Sequence, residues 1–478
     1  MTDLLRLTAS EAIRAFRRRE LGVVEYVEAL LRRIDEVEPS VRAWELVDAE
    51  GALKAAKRLE EGYDRFASLP LFGLPVGLKD IYDTRGMVTT AGFPPWAHRV
   101  PDADAAAVER LRAAGAIVLG KTVSTQFAFA DPPRTRNPWN PERTPGGSSS
   151  GSAAAVAALM IPLALGSQTA GSILRPAAYC GVMGIKPTYG LISRHGVFPF
   201  AWTLDHPGPI ARSVEDLALA LSVLAGPDPR DSATVGARVG NFLGPTELTG
   251  RPPTIGIIDD FFTLADSSVR DTVSAAVDLL VRAGASIRKL RMTTDLVTVA
   301  AAQQTIMQVE ATEVHAELFR EHSDSYAPRM RALIETGQLV PASYYLRAQR
   351  IRRHFRHEAE AMLRGVDCLI MPTASNLAPS RDTTGDRTFQ APWSLIGLPA
   401  ITLPCGVAEG LPVGLQIVAG AWEEERLLGV ARFVEGLVRP LVVSVNDLEY
   451  EYTAAARDEI AEQEALLWIE ASIDEALD

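Results

Sequence analysis

The chain has 478 residues, of which 47% are hydrophobic and 23% charged, and its formal net charge is −12 at pH 7. This composition excludes an intrinsically disordered chain and provides enough apolar residues for a large core. The acidic balance argues against a direct nucleic-acid binder, because such a protein needs a basic surface that contacts phosphates. Three cysteines, Cys180, Cys368 and Cys405, are too few and too far apart to predict a disulfide framework or a zinc site.

Residues 8–62 predict three helices. The first begins at an N-cap in Thr8–Glu11, and the others span Leu21–Val37 and Asp48–Leu59. Pro39 should end the second helix. The N-terminus lacks the order of a signal peptide, and no apolar run reaches the roughly 18–20 residues of a membrane helix. We therefore expect a soluble, cytoplasmic protein with no membrane partner.

From Leu71 onward the pattern changes to strands alternating with helices. Apolar runs at residues 71–84 and Ala116–Thr122 predict buried strands, with a helix over Ala103–Ala114 between them. Lys79 lies in the first of these runs. The alternation of helix, glycine and strand is typical of an α/β layer.

The second half of the chain continues this pattern. Its predicted helices are Ala153–Leu159, Asp216–Ala225, Ser268–Ala283, Thr298–Phe319, Pro341–Leu363 and Glu423–Leu437, and its predicted strands are Pro253–Asp260, Ala285–Leu290, Asp367–Thr373, Gly397–Gly406 and Pro412–Gly420.

The elements predict a single domain over residues 1–445. Within it we expect N-terminal helices at 8–62, a core at 70–225, an inserted cap-like subdomain at about 226–360 and C-terminal core elements at 365–440. Residues 446–478 predict an acidic helical tail. We expect this tail to pack either on the body or on a second copy of the chain in a homodimer.

The most conspicuous motif is Gly147-Ser-Ser-Ser-Gly151, which matches the G-x-S-x-G pattern of a nucleophile elbow. An elbow needs a strand directly before it, whereas the preceding residues 137–146 are rich in proline and cannot form a buried strand. A phosphate-binding loop is also excluded, because no Gly-Lys-Ser/Thr ending follows. Ser149 and Ser150 are therefore expected to hydrogen-bond the loop.

A serine nucleophile with a lysine base fits the sequence better. Burial lowers the pKa of a lysine, because desolvation disfavours the ammonium form, and Lys79 lies in a buried apolar run. Ser172 ends a run of small residues whose backbone N–H groups can converge on one point, as an oxyanion hole requires. Ser148 is placed to pass a proton between Ser172 and Lys79.

Residues 70–225 and 390–435 resemble the amidase signature family of serine hydrolases. The matching pieces are GLPVGLKD, GKTVSTQFAF, RNPWNPERTPGGSSSGSAAAVAA, GSQTAGSILRPAAYCGVMGIKPTYG and GLPAITLPCG with GLPVGLQIV. The resemblance implies an α/β/α sandwich around a large mixed sheet surrounded by helices. It also implies an enzyme that uses a Ser–cis-Ser–Lys triad without metal or cofactor.

Carried over by motif position, the resemblance makes Ser172 the nucleophile, Lys79 the base and Ser148 the bridging serine after a cis peptide bond from Gly147. The backbone N–H groups of Thr169, Ala170, Gly171 and Ser172 would form the oxyanion hole.

The sequence departs from the family at several positions near the nucleophile. Gln168 replaces a common acidic residue and Ala170 a glycine, while Gln126 stands where glutamate is frequent. Leu174 occupies a common arginine position, and Arg175 follows it. Arg175 either holds a substrate carboxylate or supports the loop, and we favour support. These changes bear on substrate specificity.

Four aromatic residues are candidate pocket walls, with core packing an equal alternative. They are Phe93, Trp96, Trp202 and Trp393. His98, His195 and His206 are expected to be structural, because no ligand spacing accompanies them.

The sequence predicts a hydrolase that cleaves a carbonyl C–N bond in a small amide, anilide, carbamate, urea or hydrazide, with water as the second substrate. The alternative is the amidase-like subunit of a tRNA-dependent amidotransferase, which releases ammonia from glutamine within a complex. The acidic tail and the missing acidic residue at Gln168 favour the free-standing hydrolase.

Overall fold

The computed structural model of the chain describes residues 2–245, 248 and 250–438, and eleven strands within them form one sheet. The strands are β1 (Trp44–Val47), β2 (Pro75–Lys79), β3 (Ile117–Thr122), β4 (Leu163–Gln168), β5 (Met183–Lys186), β6 (His206–Ala211), β7 (Thr254–Ile258), β8 (Ser286–Leu290), β9 (Cys368–Pro372), β10 (Ala400–Ala408) and β11 (Leu411–Val418). Their spatial order is β1-β3-β2-β4-β6-β5-β10-β11-β9-β7-β8.

The sheet is mixed. Strand β2 lies between β3 and β4 and runs parallel to both, and β7 runs parallel to β8 and β9. The strands between these two groups pair antiparallel. Every residue of β2, β3 and β4 is buried, as expected for parallel strands that are covered on both faces.

Helices cover the sheet. They are α1 (Thr2–Arg6), α2 (Ala9–Arg17), α3 (Val23–Val41), α4 (Ala49–Glu61), α5 (Tyr63–Phe66), α6 (Ala106–Ala113), α7 (Ser150–Ala157), α8 (Leu174–Tyr179), α9 (Val214–Leu224), α10 (Asp259–Leu264), α11 (Ser267–Arg282), α12 (Leu296–Val314), α13 (Ala316–His322), α14 (Pro328–Gly337), α15 (Ala342–Leu363), α16 (Ala391–Ile396) and α17 (Glu424–Glu435). Single 3-10 turns occur at Pro94–Trp96, Gln126–Ala128, Ser232–Thr234 and Ser323–Ser325.

Alternate side chains of one strand enter different cores. On β3, Ile117 and Leu119 pack in one buried cluster with the N-terminal helices, whereas Val118 packs in the other. On β4, Ala164 belongs to the first cluster and Leu163 to the second. Because successive side chains of a strand point to opposite faces, the sheet separates two hydrophobic layers. This arrangement confirms the predicted α/β sandwich with a large mixed sheet.

Two predictions about the N-terminal region were wrong. Pro39 lies inside α3, which continues to Val41. The helix ends at Arg42, which has a left-handed backbone, and the Glu38 carboxylate accepts the next two backbone N–H groups, of Ala43 and Trp44. The region also contains strand β1, which pairs antiparallel with β3 and was not predicted. A four-residue edge strand is too short to show a period of its own.

Three strands near the middle of the chain and several short helices, among them α8, α14 and α16, were also missed. Strands β4, β5 and β6 contain glycine, serine or proline, which weaken a strand pattern. Helix α14 was not predicted, although it begins with Pro328 at its first position.

The segment at about 226–360 contributes β7 and β8 to the same sheet as well as helices α10 to α15. Its division from the core as a subdomain stays a prediction. The predicted tail at 446–478 lies outside the described residues. None of the described helices combines the length and apolar character that crossing a membrane requires.

Candidate active site

The ends of two parallel strands bring the candidate residues together. Strand β2 ends at Lys79, and its parallel neighbour β4 carries Ser167 and ends at Gln168. Carboxyl ends of adjacent parallel strands lie at the same edge of a sheet, which is where α/β proteins place their sites. The loop before α7 adds Ser148, and the turn after β4 adds Ser172.

Lys79 is fully buried and bonded to two serines. Its Nζ donates to Ser148 Oγ at 2.7 Å and to Ser167 Oγ at 2.9 Å. Burial lowers the pKa of Lys79 well below its ordinary value of 10.5, and the nearby carboxylate of Asp205 opposes that shift. A lysine that lacks a close carboxylate partner in a dry site favours the neutral amine, which can accept a proton.

The serine loop around Ser148 is held by its own side chains. The Gly147–Ser148 peptide bond is cis. Ser149 Oγ donates to the Ser167 carbonyl and accepts from the Ser167 N–H, while Ser150 Oγ donates to the Gly146 carbonyl at 2.7 Å. Both hydroxyls therefore bind the loop, as the sequence predicted, and the apparent elbow motif is structural.

The turn of residues 169–172 presents free backbone donors beside the nucleophile candidate. Among the described residues, no N–H group from Thr169 to Ser172 donates a hydrogen bond to the protein. The Gln168 side chain shapes this turn, because its Oε1 accepts the N–H groups of Ile173 and Leu174 and its Nε2 donates to the Ala170 carbonyl. Such a turn can stabilise an oxyanion.

Ser172 lies against the serine loop. Its carbonyl accepts from the Ser149 N–H at 3.3 Å, and the residue is 9% exposed. Within the described part of the chain, its hydroxyl forms no hydrogen bond. The residue lines a cavity of about 290 Å³ that Thr169, Ala170, Arg175, Arg329, Asp386 and Arg387 also line.

A second cavity of about 210 Å³ meets the first at Ala128, Thr169 and Phe200. Its lining is mainly apolar and includes Phe198 and Trp202. Asp205 connects it to the catalytic region, since Thr169 Oγ1 donates to Asp205 Oδ1 at 2.5 Å. Burial raises the pKa of Asp205 to about 6, opposed by hydrogen bonds from Thr169 and from two backbone N–H groups.

Arg175 and Gln126, the two polar residues that we predicted to bind substrate, lie in different places. Arg175 lines the cavity with Ser172, and its Nη2 donates to the Gly147 carbonyl at 2.6 Å, so it supports the loop. Gln126 is instead bonded to Ser325 and Ala327 and faces another cavity.

Three of the four aromatic candidates lie away from Ser172, and the fourth, Trp202, lines the second cavity. Phe93 packs in an aromatic cluster with Trp96, Phe127 and Tyr326, and Trp393 is fully buried against Phe261 and Phe355. The structure therefore does not bring Gln126, Phe93 or Trp393 into the cavity with Ser172.

His206 and Cys180 have structural surroundings, whereas His195 lines the second cavity. His206 is buried, its Nδ1 lies 2.5 Å from the Leu204 carbonyl, and burial lowers its pKa well below the ordinary value. Burial raises the pKa of the Cys180 thiol. Across residues 2–245, 248 and 250–438, no group of three or more metal-binding side chains occurs.

Sequence reasoning missed several residues of the site. Ser167 lies in the signature stretch, one residue before the end of β4, but only its contact with Lys79 shows its role. Asp205, Arg329 and Arg387 reach the site from distant parts of the chain, and no local pattern marks them.

The chain is similar to known proteins over most of its length. The sequence model of the family described as Amidase matches residues 25–428. A relative from Roseiflexus sp. (strain RS-1), one of the subunits of a glutamyl-tRNA(Gln) amidotransferase, is 38% identical, with 90% of this chain and 96% of the relative covered.

Two solved structures are similar over 91% of this chain. One belongs to an unexpected vestigial protein complex that reveals the evolutionary origins of an s-triazine catabolic enzyme; it has a TM-score of 0.83 and 32% identity, with all of that chain covered. The other is the native peptide amidase from Stenotrophomonas maltophilia, with a TM-score of 0.79, 30% identity and 98% of that chain covered.

The fold and the family match together define the class: this chain belongs to the amidase signature family. It is accordingly an amidase, an enzyme that acts on carbonyl C–N bonds. Both statements confirm predictions made from the sequence.

Proposed function

We propose that this chain hydrolyses a carbonyl C–N bond of a small amide-type substrate through an acyl-enzyme on Ser172, with Ser148 and Lys79 as its proton relay. One observation carries the proposal: the fully buried Lys79 amine donates to Ser148 Oγ at 2.7 Å, beside the turn that holds Ser172. A buried lysine with hydroxyl partners is a base, whereas one paired with a carboxylate would be a structural cation.

Acylation starts from neutral Lys79. Lys79 takes the Ser148 proton as Ser148 takes the Ser172 proton, and Ser172 Oγ attacks the substrate carbonyl carbon. The hydrogen bond from the Ser172 hydroxyl to Ser148 Oγ forms as substrate binds, since catalytic hydrogen bonds often shorten only in the complex. The free N–H groups of residues 169–172 stabilise the oxyanion.

Collapse of the tetrahedral intermediate breaks the C–N bond. Lys79 returns a proton through Ser148 to the leaving nitrogen, because an amide anion is too poor a leaving group to depart unprotonated. Water then attacks the acyl-enzyme, the same relay removes its proton, and Ser172 is released with the carboxylic acid product.

The test combines amine release with labelling by a fluorophosphonate. Ser172→Ala should abolish both, Lys79→Ala should slow both by about 10²–10⁴-fold, and the adduct should map to Ser172. Ser152→Ala is the matched control, because Ser152 is a fully buried serine of α7 whose hydroxyl bonds to Thr122 and Leu165 and not to Lys79. An adduct on Ser148 or Ser149, or wild-type turnover in Lys79→Ala, would contradict the assignment.

A second candidate is glutamine hydrolysis as the subunit of a tRNA-dependent amidotransferase. The relative from Roseiflexus supports it, since it carries that name and 96% of its length is covered at 38% identity. Among named activities, the sequence relatives favour this candidate over a free-standing amidase. It would give the chain protein partners and a tRNA-linked role, in place of the small substrate and homodimer that we predict from the sequence.

Glutaminase activity and mass separate the two candidates. An amidotransferase component should release ammonia from glutamine faster when its partner subunits are added, and should co-elute with them. A free-standing amidase should turn over simple amides, anilides or carbamates alone, as a monomer or homodimer, with no response to added partners.

A further inference from the structure

Three arginines line the cavity beside Ser172, which is more positive charge than cleavage of a neutral amide requires. Arg175, Arg329 and Arg387 share it with one carboxylate, Asp386. Among the described residues, none of the three arginines forms an ion pair with an aspartate or glutamate, although ion pairs hold many other arginines of this chain. The cavity thus carries an excess of positive charge.

Neutral groups hold these arginines in place. Arg387 donates to the Gln304 side chain, and Arg329 donates to the carbonyls of Ala130 and Asp382. Arg175 donates to the Gly147 carbonyl, while its buried Nε and Nη1 have no partner among the described residues. Each guanidinium is therefore oriented by the protein but not neutralised by it.

The charge imbalance favours binding of an anion. Removing a guanidinium from water is costly unless an opposite charge compensates it. Burial lowers the pKa of Arg175 to about 10, so Arg175 is still charged at neutral pH. Asp386 compensates only in part: its charge favours the charged forms of Arg175 and Arg387, but it is one exposed carboxylate beside three guanidinium groups and accepts from Ser375 and Thr388. A carboxylate in the cavity would receive charge-assisted hydrogen bonds.

We propose that the substrate's acyl part carries a carboxylate that Arg387 and Arg329 bind, so that the enzyme selects short dicarboxylic acid monoamides over neutral amides. This inference rests on the proposed function, since it places the reacting carbonyl at Ser172. A cavity of about 290 Å³ has room for an acyl part with a few carbons between the two carbonyl groups. Glutamine has the skeleton of glutaramate with an added ammonium group, so both candidate functions fall within this class.

The first experiment compares glutaramate, the monoamide of glutaric acid, with its neutral diamide glutaramide, and repeats the pair for succinic acid. The expected kcat/KM ratio favours the anion by about 10-fold or more, and falls as salt is raised, because screening weakens partly exposed charges. A ratio at or below one for both acids would overturn the inference. Turnover of neutral amides alone would keep the proposed function and reject the anion site.

The second experiment removes one cavity charge at a time. Arg387→Gln and, as a more exposed alternative, Arg329→Gln should lower the anion-over-neutral ratio by about 10- to 100-fold, chiefly through KM. Arg353→Gln is the matched control, because Arg353 is an exposed arginine of α15 outside the cavity and its loss changes net charge equally. An unchanged ratio in both cavity variants, with melting temperatures near wild type, would reject the assignment.

Binding without turnover distinguishes failure of this inference from failure of the proposed function. Calorimetry on the Ser172→Ala chain should show glutarate binding at least about 10-fold tighter than glutaramide, and Arg387→Gln in that background should remove the difference. If glutarate binds in this way but no amide is hydrolysed by the wild-type chain, the anion site stands and the proposed function fails. If neither ligand is preferred, the anion site fails.

Discussion

The regions around Lys79 and Lys121 contain two fully buried lysines on neighbouring parallel strands, β2 and β3, with opposite surroundings. Among the described residues, Lys79 Nζ has only the hydroxyls of Ser148 and Ser167 at hydrogen-bond distance. Lys121 Nζ lies 3.3 Å from the Asp80 carboxylate and donates to the Tyr82 carbonyl and the Thr89 hydroxyl. Both lysines are fully buried, so they differ only in the chemical groups that their Nζ atoms contact.

The partners decide what each ammonium group can do. Burial lowers the pKa of Lys121 to about 8, and Asp80 opposes the shift, so the pair stays ionic at neutral pH. Around Lys79 the opposing charge is that of Asp205, which lies beyond hydrogen-bond distance. We therefore expect a buried lysine to act as a base when its neighbours are hydroxyls, and to stay a structural cation when a carboxylate adjoins it. Four predictions test this comparison.

Lys79→Met should give the largest effect on activity. Removing the base should lower kcat by about 10²–10⁴-fold, because proton transfer in both directions is lost. Stability should change little by comparison, since no buried carboxylate is left unpaired. Amine release measures the loss of activity, and thermal unfolding of the purified variant measures the loss of stability. A variant that is unfolded at room temperature, but whose folded fraction has a normal kcat, would reverse the roles proposed for Lys79 and Lys121.

Lys121→Met should have the opposite profile. It leaves the Asp80 carboxylate buried without its ion-pair partner, which costs about 3–5 kcal/mol in the free energy of unfolding. Denaturant unfolding measures this cost, and kcat per folded active site, counted by fluorophosphonate labelling, should stay near wild type. A double variant, Lys121→Met with Asp80→Asn, should recover part of the stability. Loss of kcat without loss of stability would show that Lys121 takes part in the chemistry.

Ser167→Ala should produce an intermediate effect. It removes the second hydrogen bond that orients Lys79 Nζ, worth about 1 kcal/mol, and should lower kcat/KM by somewhat under tenfold. Steady-state kinetics beside Ser152→Ala gives the comparison, because both variants delete a buried hydroxyl in the same region. Equal losses in the two variants would mean that the effect is general packing and not orientation of the base.

The pH dependence should show the smallest and most specific effect. kcat/KM should rise with pH as Lys79 loses its proton, with an acidic limb well below pH 10.5. Asp205 is anionic above about pH 6 and its charge favours the Lys79 ammonium form, so Asp205→Asn should move this limb to lower pH. A shift of less than about one pH unit is expected from a charge beyond direct contact. Movement to higher pH would contradict the electrostatic role of Asp205.

How much of this site the sequence predicts depends on where each residue lies in the chain. Lys79, Ser148 and Ser172 could be predicted as a triad because a buried run, a serine loop and a small-residue turn are local patterns, and their catalytic roles stay a prediction. Phe93 and Trp393 have the core packing that we gave as the equal alternative, and the sequence could not decide because it does not show which side of a core an aromatic ring faces. Tertiary packing alone sets those directions.

The fold shows the same division. The buried runs that contain β2 and β3 were predicted, β3 to within one residue, whereas β4 was missed because its sequence LALGSQ mixes apolar residues with glycine and serine. Those small residues are what the site needs there, since Ser167 must reach Lys79 and Tyr82 donates to the Gly166 carbonyl. Local propensity is weakest where function selects the residues.

The loop of residues 375–387 suggests how such an enzyme changes substrates over evolution. It carries Arg387 and Asp386 to the cavity, while Lys79, Ser148 and Ser172 all come from a different and much earlier part of the chain. Mutations of Arg387 and Asp386 can therefore alter what is recognised while the bond-breaking groups stay unchanged in sequence. Because the loop also bonds to the segment before Ser148, where the Thr144 N–H donates to the Pro379 carbonyl, exchanging the loop between relatives would be expected to transfer preference only together with residues 143–147.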